Sequence, residues 1–356
     1  MPTRRSMLAG SALALGARTA WADDLSTRYL GATLNSLDEF ALCGLSETGE
    51  ITFRIPMPAR GHAAAAHPKL AQAVAFARRP GLFGIVIDCT TGRVLQTLKA
   101  PVGRHFYGHG AFTADGSVLL TTENDFERGE GRIGLWDTED GYRRIGEVAS
   151  GGIGPHEIIR LPSGGFAVAN GGIRTHPAMG RDKLNLTSMR PNLTYLGSDF
   201  GILDVVEIDQ DLRQNSIRHL AVSEGGKVAI AMQWQGDLFE APPLLALHDR
   251  GGPLTYCTAC LGLQRKMNGY AGSVAFGGQE DLIGVTSPRG DAIQTYTQDG
   301  EFLDQMQAFD VCGLVQSGKG LIATSGTGKV LSVSGKGVAE MNSIKVAWDN
   351  HLVSVS

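Results

Sequence analysis

Trp348-Asp349-Asn350-His351-Leu352-Val353-Ser354-Val355-Ser356 ends the chain. His351 opens a short apolar stretch with only six residues left, counting itself, so this stretch has room for a single strand. The same pattern recurs upstream: a polar residue, most often histidine, then a short apolar run, then a turn with Gly or Asp. The copies start at His62, His109, His156, His219, Ser273, Cys312 and His351, at intervals of 47, 47, 63, 54, 39 and 39 residues. Those are blade lengths of a β-propeller, with insertions in the His156 and His219 units. Each unit has room for four strands. In the His109 unit they are expected at 109–113, 117–122, 131–137 and 142–148, divided by turn signals such as Asp115-Gly116 and Glu130-Gly131. The His351 unit lacks three strands, and 29–34, 40–45 and 51–55 near the N-terminus supply them. The expected fold is an all-β, seven-bladed β-propeller closed by one C-terminal strand and three N-terminal strands, a single domain over residues 23–356. Closure leaves no long exposed sheet edge.

Composition agrees. Glycine is 48 of 356 residues, about 13%, against a usual share of roughly 7%. So much backbone freedom suits many tight turns between short strands. With 42% hydrophobic residues the chain can bury a large core, and a net charge of −4 gives no reason to expect a nucleic-acid partner.

Thr3-Arg4-Arg5-Ser6-Met7-Leu8 is a twin-arginine pattern, followed by the apolar run 8–17 and the small-x-small site Ala20-Trp21-Ala22. The run is shorter than the roughly 20 residues of a membrane span. Residues 1–22 are therefore expected to be a cleaved twin-arginine signal peptide, and the mature protein a periplasmic one rather than an integral membrane protein. Cleavage removes three arginines and no acid, leaving 29 basic against 36 acidic residues and a charge of −7. Five cysteines remain. Cys257-Thr258-Ala259-Cys260 reads as a local disulfide or two structural thiols, because a zinc ribbon needs a second such pair. Cys43 and Cys89 sit in strand-like runs as small hydrophobes.

The first strand of each blade is the innermost, so residues at its start recur around one circle of the central channel. Five of the seven, His62, His109, His156, His219 and His351, are imidazoles. Neutral imidazoles from several strands can converge on iron, copper, nickel or zinc. A bland alternative is a polar, water-facing channel lining. Because strands alternate in direction, the connections after the second strands open beside the same histidines. They bring Arg78, Glu123, Asp125, Arg174, His176, Gln233 and Arg289, while Arg60, Arg104, His105 and Tyr107 arrive just before inner strands. This mixture suits either a metal with carboxylate helpers or a small anionic ligand. Glu123, Asp125 and His176 are the candidate outer partners of a metal. The insertion 171–201 is long enough to fold over the channel mouth as a lid.

Arg104-His105-Phe106-Tyr107-Gly108-His109-Gly110, Gly152-Ile153-Gly154-Pro155-His156-Glu157 and Ala169-Asn170-Gly171-Gly172-Ile173-Arg174-Thr175-His176-Pro177 carry a resemblance, as do the segments 180–186, 216–222, 286–290 and 348–353. The chain resembles the domain of unknown function 1513 family over essentially its whole mature length. That resemblance implies a periplasmic propeller, commonly encoded beside imelysin-type proteins linked to iron uptake, and no established activity. It points to iron and to periplasmic iron-uptake proteins as partners, whereas the histidines point only to a transition metal, for which copper is the second candidate. The Cys-x-x-Cys at 257–260 is a departure from the family pattern.

Three readings follow. The first is a periplasmic metal-binding propeller for iron acquisition or handling. The second is a metal-dependent redox or hydrolytic enzyme at the same site; no nucleophile elbow, phosphate loop or dinucleotide fingerprint appears. The third is a metal-free interaction platform on the loop face.

Overall fold

The computed structural model describes residues 26–180 and 182–355, so the signal peptide read over 1–22 lies outside the described residues. Seven four-stranded antiparallel sheets follow one another, each ordered from its innermost to its outermost strand. The sheet that closes the ring takes its innermost strand, Ala347–Ser354, from the C-terminus and Tyr29–Leu34, Phe40–Leu45 and Ile51–Pro56 from the N-terminus. Their register sets Tyr29 opposite Ser354, Gly31 opposite Leu352 and Thr33 opposite Trp348. The chain is a seven-bladed propeller closed as its last residues predict.

Burial explains why these segments form these strands. Second strands such as Gln72–Ala77, Phe166–Asn170 and Leu321–Ser325 are near-continuous apolar or small runs, buried along almost their whole length. They are covered on both faces by neighbouring sheets. Outermost strands such as Arg93–Lys99 and Ile202–Glu207 are largely exposed and carry mixed polar residues. Seven hydrophobic clusters fill the spaces between adjacent blades, one at each interface. The interface between the closing blade and the one before it is built from Tyr29, Cys43, Leu45 and Trp348 against Ile322 and Val330. Burying such surface at roughly 25 cal/mol per Å² is what stabilises the ring.

The histidine-bearing inner strands share an irregularity. Each has more residues than its partner strand at the point where its histidine lies. The breaks fall between Gly61 and Ala64, Phe106 and Gly110, Pro155 and Glu157, and Ile217 and His219, and opposite Gly31–Thr33 in the closing strand. The Cys312 strand is bulged too, whereas the Ser273 strand pairs without a break. A bulge re-aims side chains out of the strict two-residue alternation.

All five cysteines are free thiols. Of the two readings for Cys257 and Cys260, a local disulfide or two thiols, the structure carries two thiols, Cys257 buried and Cys260 exposed. Cys43 and Cys89 are packed in hydrophobic clusters, as small apolar side chains would be. No helix among the described residues is long and apolar enough to cross a membrane.

Candidate metal centre

The bulges turn the five histidines into the channel, where their rings fill its middle. His62, His156, His219 and His351 make a four-membered circuit, with ring centroids 5.3 Å apart for 62–156, 4.8 Å for 156–219, 4.4 Å for 219–351 and 4.4 Å for 351–62. His109 touches all four, at 4.9, 5.0, 5.7 and 4.8 Å from His62, His156, His219 and His351. Such an approach needs room, and Gly108 provides it. It sits at φ +101°, and a Cβ there would lie 2.5 Å from the His62 ring.

Four of these histidines are buried and His156 is half-buried. Nδ1 of His62, Nε2 of His109, Nδ1 of His156 and Nε2 of His351 are buried atoms with no hydrogen-bond partner. An unsatisfied buried polar atom costs about 1–3 kcal/mol, and four in one cluster are a strong indication of a ligand that satisfies them. Two triads have one donor atom from each residue within 4.8 Å of one another: His62, His109, His156 and His109, His219, His351. These residues fit a transition metal, since imidazole suits zinc, copper, iron and nickel.

Protonation favours the same chemistry. Burial, followed by neighbouring imidazoles, holds His62, His156 and His351 well below the ordinary histidine value. Burial also lowers His219. At neutral pH these rings are uncharged, the form that ligates metals.

Glu157, absent from the residues singled out in the sequence, orients the cluster. Its Oε2 lies 3.2 Å from Nδ1 of His219 and accepts the Leu220 amide at 2.9 Å, while its Oε1 lies 3.5 Å from Nδ1 of His109. Burial opposes its ionisation, but His109 and His219 outweigh burial and hold the carboxyl well below the usual carboxylate range. An ionised Glu157 keeps the proton of both rings on Nδ1 and leaves Nε2 with its lone pair. Removing such a carboxylate partner typically weakens a metal site 10–100-fold. Glu157→Gln is expected to lower transition-metal affinity by about that factor while the strands remain paired, as a competition titration against a chromophoric chelator would show.

The other candidates divide into two groups. Arg78, Tyr107, Gln233 and Arg289 line a cavity of about 410 Å³ on the mouth side, whose lining also includes His62, His156 and His219. The rest are engaged elsewhere. Glu123 is bound by Arg144 at 2.6 Å, and Asp125 pairs with Arg104, which also holds Glu147 at 2.7 Å. Arg60 pairs with the buried Asp349. His176 caps a short 3₁₀ turn through its Nδ1 and approaches Glu127, and exposed Arg174 donates to the Glu127 carbonyl. His105 stacks on Phe126, with its Nε2 3.3 Å from Asn124 Nδ2, and burial lowers it to about 4. None of the hydrogen bonds or ion pairs among the described residues joins Glu123, Asp125 or His176 to the five histidines. From the insertion expected to form a lid, Lys183 lines the same cavity and donates to Gln235 Oε1 at 2.5 Å. On the opposite side of the histidines lies a second cavity of about 500 Å³, lined by His109, Glu157, His219, His351 and mostly small apolar residues.

The model of the DUF1513 family, described as a protein of unknown function, matches residues 55–355. The chain belongs to this family. Among solved structures, the DUF1513 chain is similar to Kuenenia stuttgartiensis hydrazine synthase, at 12% identity and a TM-score of 0.62, over 89% of this chain and 96% of that one. It is also similar to a protein of unknown function from Bacteroides caccae, at 11% identity and a TM-score of 0.47, over 79% of this chain and 94% of that one. The first likeness is one of fold. No curated protein matches the sequence.

Proposed function

We propose that this DUF1513 protein is a periplasmic metal-binding propeller that holds a transition-metal ion on its channel histidines, in iron acquisition or handling. The observation that carries the reading is the histidine cluster itself. Five imidazoles meet in the channel, four of their buried nitrogens lack a partner, and a carboxylate orients two of the rings. Iron comes before copper because of the family resemblance, and the periplasm because of the twin-arginine segment at 3–8.

Elemental analysis of protein exported by its own pathway, and purified without a histidine tag or chelator, tests this. A stoichiometric transition metal is expected, and its loss in a His109→Ala/His156→Ala double variant. Metal-free protein that also takes up no added Fe(II), Cu(II) or Zn(II), or full occupancy in the double variant, would overturn the reading.

A further inference from the structure

The mouth-side cavity has a composition the metal does not explain. Arg78, Arg79, Lys183, Arg218 and Arg289 line it, together with Tyr107 and Tyr270, and no aspartate or glutamate among the described residues does so. In a chain with more acidic than basic residues, five cations around one cavity are not a matter of average composition.

Arg218 is the decisive member. It is only 7% exposed, its Nε has no hydrogen-bond partner, and no ion pair among the described residues involves it. A guanidinium stays charged at neutral pH even when buried. A buried, charged arginine without a counter-ion is costly unless something negative occupies the space beside it. Ile217 pairs with Met232 and His219 with Ala231, so Arg218 is the extra residue of the bulge, which sends it into this cavity beside His219. Arg289 lies over the Tyr270 ring at 4.5 Å, which holds its guanidinium at the cavity wall. Lys183 reaches in from the insertion and is tethered to Gln235.

We infer that this cavity is a binding site for a small oxyanion of two or more negative charges, carrying carboxylate or phosphate-type groups, seated on Arg218 above the histidines. Guanidinium groups match both kinds of group in two-point contacts. A volume of about 410 Å³ admits a small molecule and not a polymer. The site does not depend on the metal reading, because none of its cations is a metal ligand.

Calorimetric titration of the chelator-treated mature chain with citrate, and separately with inorganic phosphate, tests the inference. Saturable binding of at least one of them is expected, weakening as salt is added. Arg218→Gln should cut the affinity about tenfold or more, as loss of a charged hydrogen-bonding partner does. Binding of citrate alone assigns the site to polycarboxylates, and binding of phosphate alone to tetrahedral oxyanions; both support the inference. Binding of neither at millimolar concentration overturns it, and so does an Arg218→Gln chain that binds as tightly as the parent. Should that variant fail to fold, a Lys183→Ala/Arg289→Ala double variant, changed at two exposed residues, reads out the same loss. His109→Ala, which does not line this cavity, should keep anion binding whatever it does to metal, so the two readings fail separately.

Discussion

A His109→Ala chain is expected to lose its transition metal, with affinity down by more than about 100-fold whichever triad holds the ion, whereas an alanine variant of another histidine does so only when its own triad holds it. The reason is position. His109 belongs to both donor triads, while His62 and His156 belong only to one and His219 and His351 only to the other. Its ring also contacts all four others, and among the described residues both donor triads need it. Loss of an outer carboxylate already costs 10–100-fold in typical sites, and loss of a direct donor costs more. Competition titrations on His109→Ala, His62→Ala and His351→Ala separate the triads. Loss in His62→Ala with retention in His351→Ala places the ion on the mouth side, and the reverse places it toward the cavity that Glu157 lines. A His109→Ala chain that binds metal like the parent would sink both placements. The fold itself should persist, because ring closure rests on the pairing of Tyr29–Leu34 with Ala347–Ser354 and on the inter-blade clusters, none of which includes His109.

Most of this architecture is legible in the amino-acid order, and the misses share one cause. The strands 29–34, 40–45 and 292–297 fall where apolar runs between turn signals put them. The histidine circle is readable because a strand start is a fixed place in each blade. Glu157 and Arg218 are not readable by the same rule. Strict alternation sends the residue beside an inward histidine to the other face of the sheet. In the structure one extra residue at the His156 and His219 bulges breaks that alternation, so His156 and Glu157, and Arg218 and His219, all border the channel cavities. The adjacency of charged residue and histidine in Pro155-His156-Glu157 and Arg218-His219 was the available signal, visible only once a bulge is suspected. The opposite error befell Glu123, Asp125 and Arg104. They sit at the correct end of their strands, but they are taken up in a structural ion network on the His109 blade, in which Arg104 pairs with Asp125 and Glu147, and Arg144 with Glu123 and Glu147. Sequence position reports the end of a blade, and not which of two faces a charged side chain chooses.

Thermal stability of the metal-free protein is expected to fall steeply as pH drops from about 6.5 toward 5. His62, His156, His219 and His351 all have folded values below the ordinary one, with burial as the first cause. The unfolded chain titrates these groups near 6.5. Between that value and the depressed folded values the unfolded state binds more protons, so each drop in pH favours unfolding. Each histidine contributes at most about 1.4 kcal/mol per pH unit, and four together at most about 8 kcal/mol across the window from about 6.5 to 5, against a typical total stability of about 5–15 kcal/mol. Glu157 cannot produce this window: its folded value is lowered, so its contribution is lost only below the usual carboxylate range near 4.3. Metal competes with protons for the same nitrogens, so loaded protein should keep its Tm to lower pH, and the gap between loaded and stripped samples should shrink again once protons displace the ion. His351→Gln removes one titrating ring and should flatten the slope of the stripped protein. A Tm independent of pH between about 7 and 5 would mean that these imidazoles are not held neutral by their surroundings, and the cluster would then lack the chemistry of a metal site.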